Sequence, residues 1–496
     1  MNIQNSNFVK TDVFKKIILF IIVFFSFSII FYASTKVLLN GSDEEEHYLM
    51  ASEISFSPFS LHLPLGFQDI DPHPPLVAYF VRLGFLLFGQ ESIVSGRFLF
   101  VLLGAIGIFI VFLLVSRGID VKVAFLSIIF LCVEKYYVCH FRYAIEEGFV
   151  IFFTILTTYV FFKALIEDSK PLMLLTGVVA GIGLYGKETL LLLFPIYFIY
   201  LYSDRKFRFW FKVKELYFAV AIALCIFMPF IIFNFSNDLF SIKMVDYYAK
   251  FGVSPVALTA LLGEFFSYFV DKSVIIDIFD CEYPLMNWMA GLIVTCGVVY
   301  SLKNVKGNSL VKLLLIIFLF NFGLFSIIKN DALAEPNPFL NNTDWPSMMI
   351  VSGVILASYM LISLWNKRRW HKLLIIFFIV YLGVDLIQTI NLPESFYIPQ
   401  RGLMLTQLKD LAHYDLDRGY YGYAKKRFER LQKWSNDEET LETARLNLLY
   451  LSNLAKSEEI KEYYIPKKNI SPDEIMKQAE FFFDIGENDA AIERYQ

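Results

Sequence analysis

The sequence predicts an all-α membrane protein that crosses the bilayer many times. Aliphatic and aromatic residues make up 56% of the 496 residues, Phe alone accounts for 53 of them, and only 19% are charged. A soluble domain with a largely charged surface is not this apolar. The Lys and Arg residues fall in short clusters between apolar runs and the net charge is -4, a pattern typical of membrane topology that excludes a nucleic-acid footprint.

Eleven apolar stretches are predicted to cross the membrane, because a hydrocarbon core of about 30 Å takes roughly 20 helical residues. They are residues 16–38, 96–116, 121–139, 148–166, 171–186, 188–203, 215–234, 285–302, 311–328, 347–365 and 370–390. The first stretch follows Lys10, Lys15 and Lys16 and lacks a small-residue cleavage site. We therefore interpret it as a retained helix with a cytoplasmic N-terminus.

Loop charge predicts the orientation of these helices. Counted alternately from a cytoplasmic N-terminus, every inside loop is basic and the outside loops hold most of the acidic residues, as the positive-inside rule requires. The outside loops are 39–95, 140–147, 235–284 and 329–346, and the tail beyond residue 391 is also outside. Residues 76–88 are too few to span and contain Arg82, so we expect a helix lying along the interface there.

The C-terminal region, residues 400–496, is charged and helix-forming. Two segments share Gly, then Ala five residues on, then an aromatic residue four further on, and they lie 67 residues apart. Two 34-residue tetratricopeptide periods would give 68, so this tail resembles that helical repeat. The matching residues are Gly419, Ala424 and Phe428 in the first copy and Gly486, Ala491 and Tyr495 in the second. An unrelated helical hairpin is the alternative; the chain stops inside a repeat, which favours a continuing sequence or a partner covering the end.

Three charged clusters interrupt the apolar pattern on the predicted outer face: residues 43–46, 140–149 and 185–190. Charge at membrane depth costs energy unless it has a partner or a task. Each cluster also has a structural explanation: an acidic helix N-terminus at 43–46, a surface ion pair between Arg142 and Glu146, and a Lys187 that extends to the interface. Together they place acids and cations on one face, as sugar transfer from a lipid phosphate requires.

The order of the motifs supports that chemistry. They are "EEEHYLMA" (44–51), "DPHPPLVAYF" (71–80), "LLFGQESIVSGRF" (86–98), "RYAIEE" (142–147), "GLYGKETLLLLFP" (183–195) and "MPFIIFNFSND" (228–238). In this order, and on one face, they resemble the GT-C glycosyltransferases of the protein O-mannosyltransferase and lipid A aminoarabinose transferase type. The resemblance covers roughly residues 15–390 and is strongest before residue 240.

The resemblance implies the catalytic acids. The family's pattern of Asp-Glu, two residues, then Tyr fits Glu44, Glu45 and Tyr48, so Glu44 stands where a catalytic Asp is expected and Asp43 is one residue out of register. The base is thus Glu44, Asp43 or Glu45, since a longer side chain moves the carboxylate by about 1.5 Å.

Further positions follow from the same resemblance. Glu147 or Glu146 matches the second acidic position, again with Glu in place of Asp. Lys187 matches the lysine that meets the lipid phosphate, with Arg142 beside it and Tyr48 at the substrate. His73 is a substrate-contact candidate, although Pro74 and Pro75 favour a structural role there.

The sequence therefore predicts a GT-C domain, residues 1–392 with large outer loops 39–95 and 235–284, followed by the repeat-like tail at 400–496. The predicted activity is inverting transfer of one sugar from a polyprenyl-phosphate donor to a lipid, glycan or protein acceptor. The resemblance implies a bacterial inner membrane, with the C-terminal region extracytoplasmic. Family members differ in their dependence on a divalent metal, and the five cysteines show no CxxC spacing that would indicate a zinc site.

Two other classes of function remain open on the sequence. A transporter or flippase-like carrier would use the same charges to line a path, but would more often show internal repeats with paired Gly or Pro breaks near the bilayer centre. The second class is a scaffold protein derived from a transferase that has lost its activity. It remains open because two acidic positions have Glu in place of Asp.

Overall fold

The computed structural model describes the following residues: 3–36, 44, 47–48, 50–51, 54, 74–89, 92–236, 288–327, 347–365, 378, 382–383, 386, 409, 412–413, 416, 421–434 and 438–454. The chain divides into two compact units, Met1–Phe396 and Tyr397–Gln496. Across the described ranges, regular structure is helical throughout.

Twelve helices of the first unit are described. They are α1 (Ile3–Lys36), α2 (Leu76–Phe88), α3 (Ile93–Gly118), α4 (Val121–Val133), α5 (Lys135–Arg142), α6 (Glu146–Ile166), α7 (Lys170–Leu184), α8 (Leu193–Ser203), α9 (Lys214–Ser236), α10 (Trp288–Asn304), α11 (Ser309–Ile327) and α12 (Ser347–Trp365). Short 3-10 turns, Glu188–Leu192 and Arg208–Lys212, precede α8 and α9.

Polar residues at the boundaries of the apolar runs fix where the helices begin. Ser92 and Ser95 form a reciprocal capping box at the start of α3, and the Asp120 side chain accepts from the Lys122 backbone N–H at the start of α4. Such caps satisfy the N–H groups that a helix leaves open in its first turn. Gly89 ends α2 in the left-handed conformation that glycine adopts without strain.

The third predicted span is divided in the structure. Residues 121–139 were expected to form one helix, but Glu134 ends α4 and caps α5, accepting from the backbone N–H groups of Tyr136 (3.1 Å) and Tyr137 (2.7 Å). A carboxylate that satisfies a new helix start favours the break over continuation of the apolar run.

Small residues allow α7 and α9 to pack closely. A Cβ added at Gly177 would lie 2.2 Å from the Ala219 carbonyl oxygen, and one at Gly181 would lie 3.0 Å from the Ala223 Cα. Gly177 and Gly181 are four residues apart, so this is a small-xxx-small contact of the kind that holds membrane helices together.

The membrane-spanning character of the chain is confirmed. Among the described residues, five helices are long and apolar enough to cross a bilayer: Lys15–Thr35, Ile93–Gly118, Glu146–Ile166, Lys214–Ile232 and Ser347–Trp365. Six shorter apolar helices accompany them, including Leu76–Phe88, where the interfacial helix was predicted. The eleventh predicted stretch, 370–390, lies almost entirely outside the described residues.

The second unit contains a helical hairpin, α13 (Tyr421–Trp434) and α14 (Glu438–Leu454). Its core is made by buried side chains of both helices and of the segment before them: Ala412, Leu416, Ala424, Phe428, Leu431, Ala444 and Leu451. Ala424 and Phe428, two matching residues of the predicted repeat, are fully buried there. The second copy lies outside the described residues, so the repeat stays a prediction.

Candidate functional site

A buried ion pair anchors the first acidic cluster. The Arg97 Nε donates to Glu44 Oε1 and its Nη2 to Glu44 Oε2, both at 2.6 Å, and neither side chain is exposed. The backbone N–H of Ala144 also donates to Glu44 Oε1 at 2.8 Å, while Arg97 Nη1 donates to the Ser34 carbonyl at 2.8 Å. Glu44 therefore ties the end of α1, the start of α3 and the α5–α6 turn together.

The two acids at the start of α6 each contact a base from a different segment. His47 Nε2 lies 2.6 Å from Glu146 Oε1, and the Lys187 ammonium donates to Glu147 Oε1. Glu146 and Glu147 are 2% and 3% exposed. Carboxylates in the first turn of a helix are favoured by the helix dipole, which explains why these two acids begin α6.

Arg142 is buried beside these pairs without a carboxylate of its own among the described residues. Its Nη2 donates to the Tyr143 hydroxyl at 2.9 Å and its guanidinium carbon lies 4.7 Å from the centre of the Tyr143 ring. The same ring is 5.0 Å from the guanidinium carbon of Arg97. Arg142 is 1% exposed and its Nε has no hydrogen-bond partner in the described part of the chain.

Helix α5 lies across this cluster and is itself lined with buried polar groups. Glu134 and Lys135 begin it, and His140 Nδ1 lies 2.8 Å from the Tyr136 carbonyl oxygen. Burial lowers the pKa of His140 to about 4, although nearby Glu147 acts in the opposite direction. His140 is thus neutral at physiological pH and its Nδ1 donates to the Tyr136 carbonyl.

Tyr48 and the turn after α7 complete the framework. The Tyr48 hydroxyl donates to the Ile93 carbonyl at 2.6 Å, and its ring meets the edge of Phe85. The backbone N–H of Leu76 donates to the Tyr185 carbonyl at 3.1 Å, which brings the start of α2 to the turn that carries Lys187.

The structure brings six of the predicted site residues into this region: Glu44, Tyr48, Arg142, Glu146, Glu147 and Lys187. Asp43, Glu45 and His73 lie outside the described residues. The surface ion pair considered between Arg142 and Glu146 is wrong: both side chains are buried, Arg142 contacts Tyr143 and Glu146 contacts His47. A helix break between residues 142 and 146 removes the one-turn spacing that such a pair needs.

Four further polar residues of the site were not singled out from the sequence: Arg97, His47, Glu134 and His140. Arg97 stands inside the quoted motif "LLFGQESIVSGRF" as the second residue of the predicted span 96–116, and a charge inside a span is a signal for a buried partner. In the described part of the chain, no group of three His, Cys, Asp or Glu side chains is arranged to hold a metal ion.

Comparison with known proteins defines the class of this fold. Residues 72–233 match the family model described as dolichyl-phosphate-mannose-protein mannosyltransferase. The fold is similar to an Archaeoglobus fulgidus oligosaccharyltransferase solved with zinc and sulfate, at 12% identity and a TM-score of 0.52, covering 80% of this chain and 57% of that one. The chain thus spans less than two thirds of that enzyme.

A second similar structure is ArnT from Cupriavidus metallidurans, solved bound to undecaprenyl phosphate. The identity is 15% and the TM-score 0.51, over 89% of this chain and 75% of that one. No curated protein sequence matches the chain. The chain is therefore a polytopic membrane protein with the GT-C fold, and its residues 72–233 match the mannosyltransferase family model.

Proposed function

We propose that the protein is an integral membrane glycosyltransferase that moves a sugar, with inversion, from a polyprenyl-phosphate donor to an acceptor on the outer face of the membrane. The observation that carries this proposal is the cluster at the start of α3, the end of α5 and the start of α6. It holds three ion pairs whose carboxylates are all buried and a buried guanidinium, Arg142, that has no described carboxylate partner.

The phosphate of the donor would bind Arg142 and Lys187. A buried cation is costly without an opposite charge, and a guanidinium matches two phosphate oxygens with its fork of N–H donors. Tyr143 holds Arg142 from one side, which orients the guanidinium before the donor binds. The three N–H donors of the Lys187 ammonium can serve Glu147 and a phosphate oxygen together. Both cations would stabilise the leaving phosphate.

The base that takes the acceptor's proton would be Asp43 or Glu45 rather than Glu44. Both Glu44 oxygens accept from Arg97, one also accepts from Ala144, and the side chain is fully buried. A carboxylate held in this way has no room to contact an acceptor hydroxyl. Glu44 would instead be a positioning residue that fixes its two acidic neighbours, since consecutive Cα atoms lie only about 3.8 Å apart.

The surroundings of the reaction are proposed on the same basis. The site end of the bundle would face outward, with a cytoplasmic N-terminus and the C-terminal unit outside, in a bacterial inner membrane. The C-terminal unit would be a tetratricopeptide-like domain that binds the acceptor or a protein partner; the exposed, charged surfaces of α13 and α14 are compatible with that role.

The proposal is tested by label transfer in reconstituted vesicles. Radiolabelled polyprenyl-phosphate sugars would be supplied with lipid, glycan and peptide acceptors, with added Mg²⁺ or with a chelator. We expect wild type to transfer label and Asp43→Asn or Glu45→Gln to abolish it, while the matched charge change Glu167→Gln, on an exposed ion pair with Arg117, leaves it intact. Absence of transfer from every donor would favour a carrier or a scaffold, and normal transfer by both acidic variants would overturn the assignment of the base.

A further inference from the structure

Residues 204–214, the connection from α8 to α9 together with the first residue of α9, form a strongly basic surface that the proposed reaction does not use. It contains five cations, all exposed: Arg205, Lys206, Arg208, Lys212 and Lys214. Within the described ranges none of the five makes an ion pair with an acid. We call this segment the basic loop.

Two buried aromatic residues hold the basic loop in place. Phe207 is 1% exposed and Trp210 is fully buried, and the backbone N–H of Trp210 donates to the Phe207 carbonyl at 3.1 Å. Phe207 and Trp210 thus anchor the loop to the bundle, while its five cations stay exposed. The loop therefore presents its charges from an ordered turn rather than from a flexible tail.

The two acids nearest these cations make contacts that do not involve the cationic groups of the loop. Asp204 accepts from the Ser309 hydroxyl at 2.9 Å and from the Lys206 backbone N–H at 3.1 Å. Glu215 pairs with Lys170 of α7 at 3.6 Å. Neither carboxylate forms an ion pair with a cation of the loop, and five cations against Asp204 leave the loop strongly positive.

Exposed aromatic rings surround the cations. Tyr202, Phe209 and Tyr217 are 70%, 44% and 50% exposed. The Arg208 guanidinium carbon lies 5.0 Å from the Tyr202 ring centre, and Arg208 Nε donates to the Tyr202 carbonyl at 2.5 Å. Aromatic rings of this kind sit at the level of lipid headgroups, where Lys and Arg contact phosphate.

The basic loop lies at the end of the bundle opposite the candidate site. Asn308 donates to the Gly118 carbonyl at 2.7 Å, and the adjacent Ser309 contacts Asp204. Gly118 ends α3, whereas Arg97 is in its first turns. At 1.5 Å per residue the two positions are about 32 Å apart along the helix, roughly the thickness of a hydrocarbon core.

We propose that the basic loop is a binding surface for anionic phospholipid headgroups at the membrane face opposite the glycosyl-transfer site. Five exposed cations that make no ion pair within the described residues match the negative charge of such headgroups, and the neighbouring rings place those cations at headgroup depth. The surface would hold the loop ends of α8 and α9 against that leaflet.

Native mass spectrometry of the full chain in detergent tests this surface, with phosphatidylglycerol and phosphatidylcholine of identical acyl chains as probes. We expect Lys206→Gln/Arg208→Gln to weaken phosphatidylglycerol binding about tenfold or more, given the attraction of each cation to anionic headgroups. The control Lys122→Gln/Lys303→Gln removes two exposed lysines elsewhere and should change it less than twofold. Lys206→Arg/Arg208→Lys should retain binding.

A second variant keeps the test independent of folding. Arg205→Gln/Lys212→Gln removes two cations that make no described hydrogen bond to the bundle, and we expect the same selective loss of phosphatidylglycerol. Equal binding of both lipids by wild type, or equal losses in the control and the loop variants, would overturn the proposal. Displacement of the lipid by soluble glycerol phosphate at the same concentration would also overturn the proposal, because it would indicate a phosphate site instead of a membrane surface.

Discussion

Arg97 and Glu44, which are 53 residues apart in the sequence, form a two-point ion pair in which neither side chain is exposed. The pair joins the segment that carries the acidic cluster to the first turns of α3. It fixes the position of Glu44, which lies between Asp43 and Glu45 in the sequence, relative to the rest of the site.

Removal of one partner of this pair should be costly. Arg97→Met leaves the Glu44 carboxylate buried without its counter-charge, and breaking such a pair typically costs about 3–5 kcal/mol. We expect a large fall in the thermal unfolding midpoint in detergent, partly recovered in Arg97→Met/Glu44→Leu, where no charge remains. A double variant as unstable as, or less stable than, the single one would contradict the structural role of the pair.

Lys187 should matter to the reaction beyond its contact with Glu147. Lys187→Met removes a phosphate donor, and loss of a group that stabilises a developing charge typically lowers kcat about 10²–10³-fold. Lys187→Arg, which keeps a cation, should retain part of the rate. Kinetics over a range of donor concentrations measure this.

The control is Glu147→Gln, which breaks the same ion pair but leaves the cation. If Lys187 had only a structural role, Lys187→Met and Glu147→Gln would reduce activity equally. Lys187→Arg would then not restore binding of the donor. A smaller effect of Glu147→Gln on the donor KM is the outcome we expect.

His140 should make stability sensitive to acid. Burial lowers its pKa in the folded chain to about 4, below the usual value of 6.5, so the unfolded chain binds the proton more readily. Its contribution to stability is complete above pH 6.5 and is lost as the pH falls from 6.5 towards 4. His140→Gln should flatten the decline of the unfolding midpoint over that interval, and identical slopes in the two proteins would show that His140 does not contribute.

Close packing of α7 and α9 should not tolerate a side chain at Gly177. A Cβ there would lie 2.2 Å from the Ala219 carbonyl oxygen, and the helices would have to separate. We expect Gly177→Val to destabilise the protein by about 1–3 kcal/mol, as overpacking does. Gly307→Ala is a suitable control because its Cβ would meet no atom within 4 Å. Equal unfolding midpoints in the two variants would contradict the close contact.

The helical membrane fold was predictable because long apolar runs have few other stable states in a bilayer. Run length alone did not reveal the break at Glu134, since an acidic residue in an apolar run can either end a helix or point into a polar site. The structure shows that it does both, capping α5 inside the cluster.

The clustering of Glu147 with Lys187 on one face followed from loop sidedness and family resemblance. The individual ion pairs could not be predicted in this way, because Arg97, His47 and Lys187 contact partners 40 to 100 residues away in the chain. A sequence pattern gives no information on the distance in space between residues that far apart. Our proposal that Asp43 or Glu45 is the base likewise rests on the contact between Arg97 and Glu44, which the sequence pattern does not reveal.

Release of free polyprenyl phosphate from a polyprenyl-phosphate sugar tests the central claim most directly, because it reports cleavage of the donor before any acceptor is identified. Wild type reconstituted with acceptor-containing membranes should release it, and Arg142→Gln should reduce release at least a hundredfold while keeping a wild-type unfolding midpoint. An unchanged donor in the wild-type reaction, or equal release by Arg142→Gln, would contradict the assignment of this cluster as a glycosyl-transfer site.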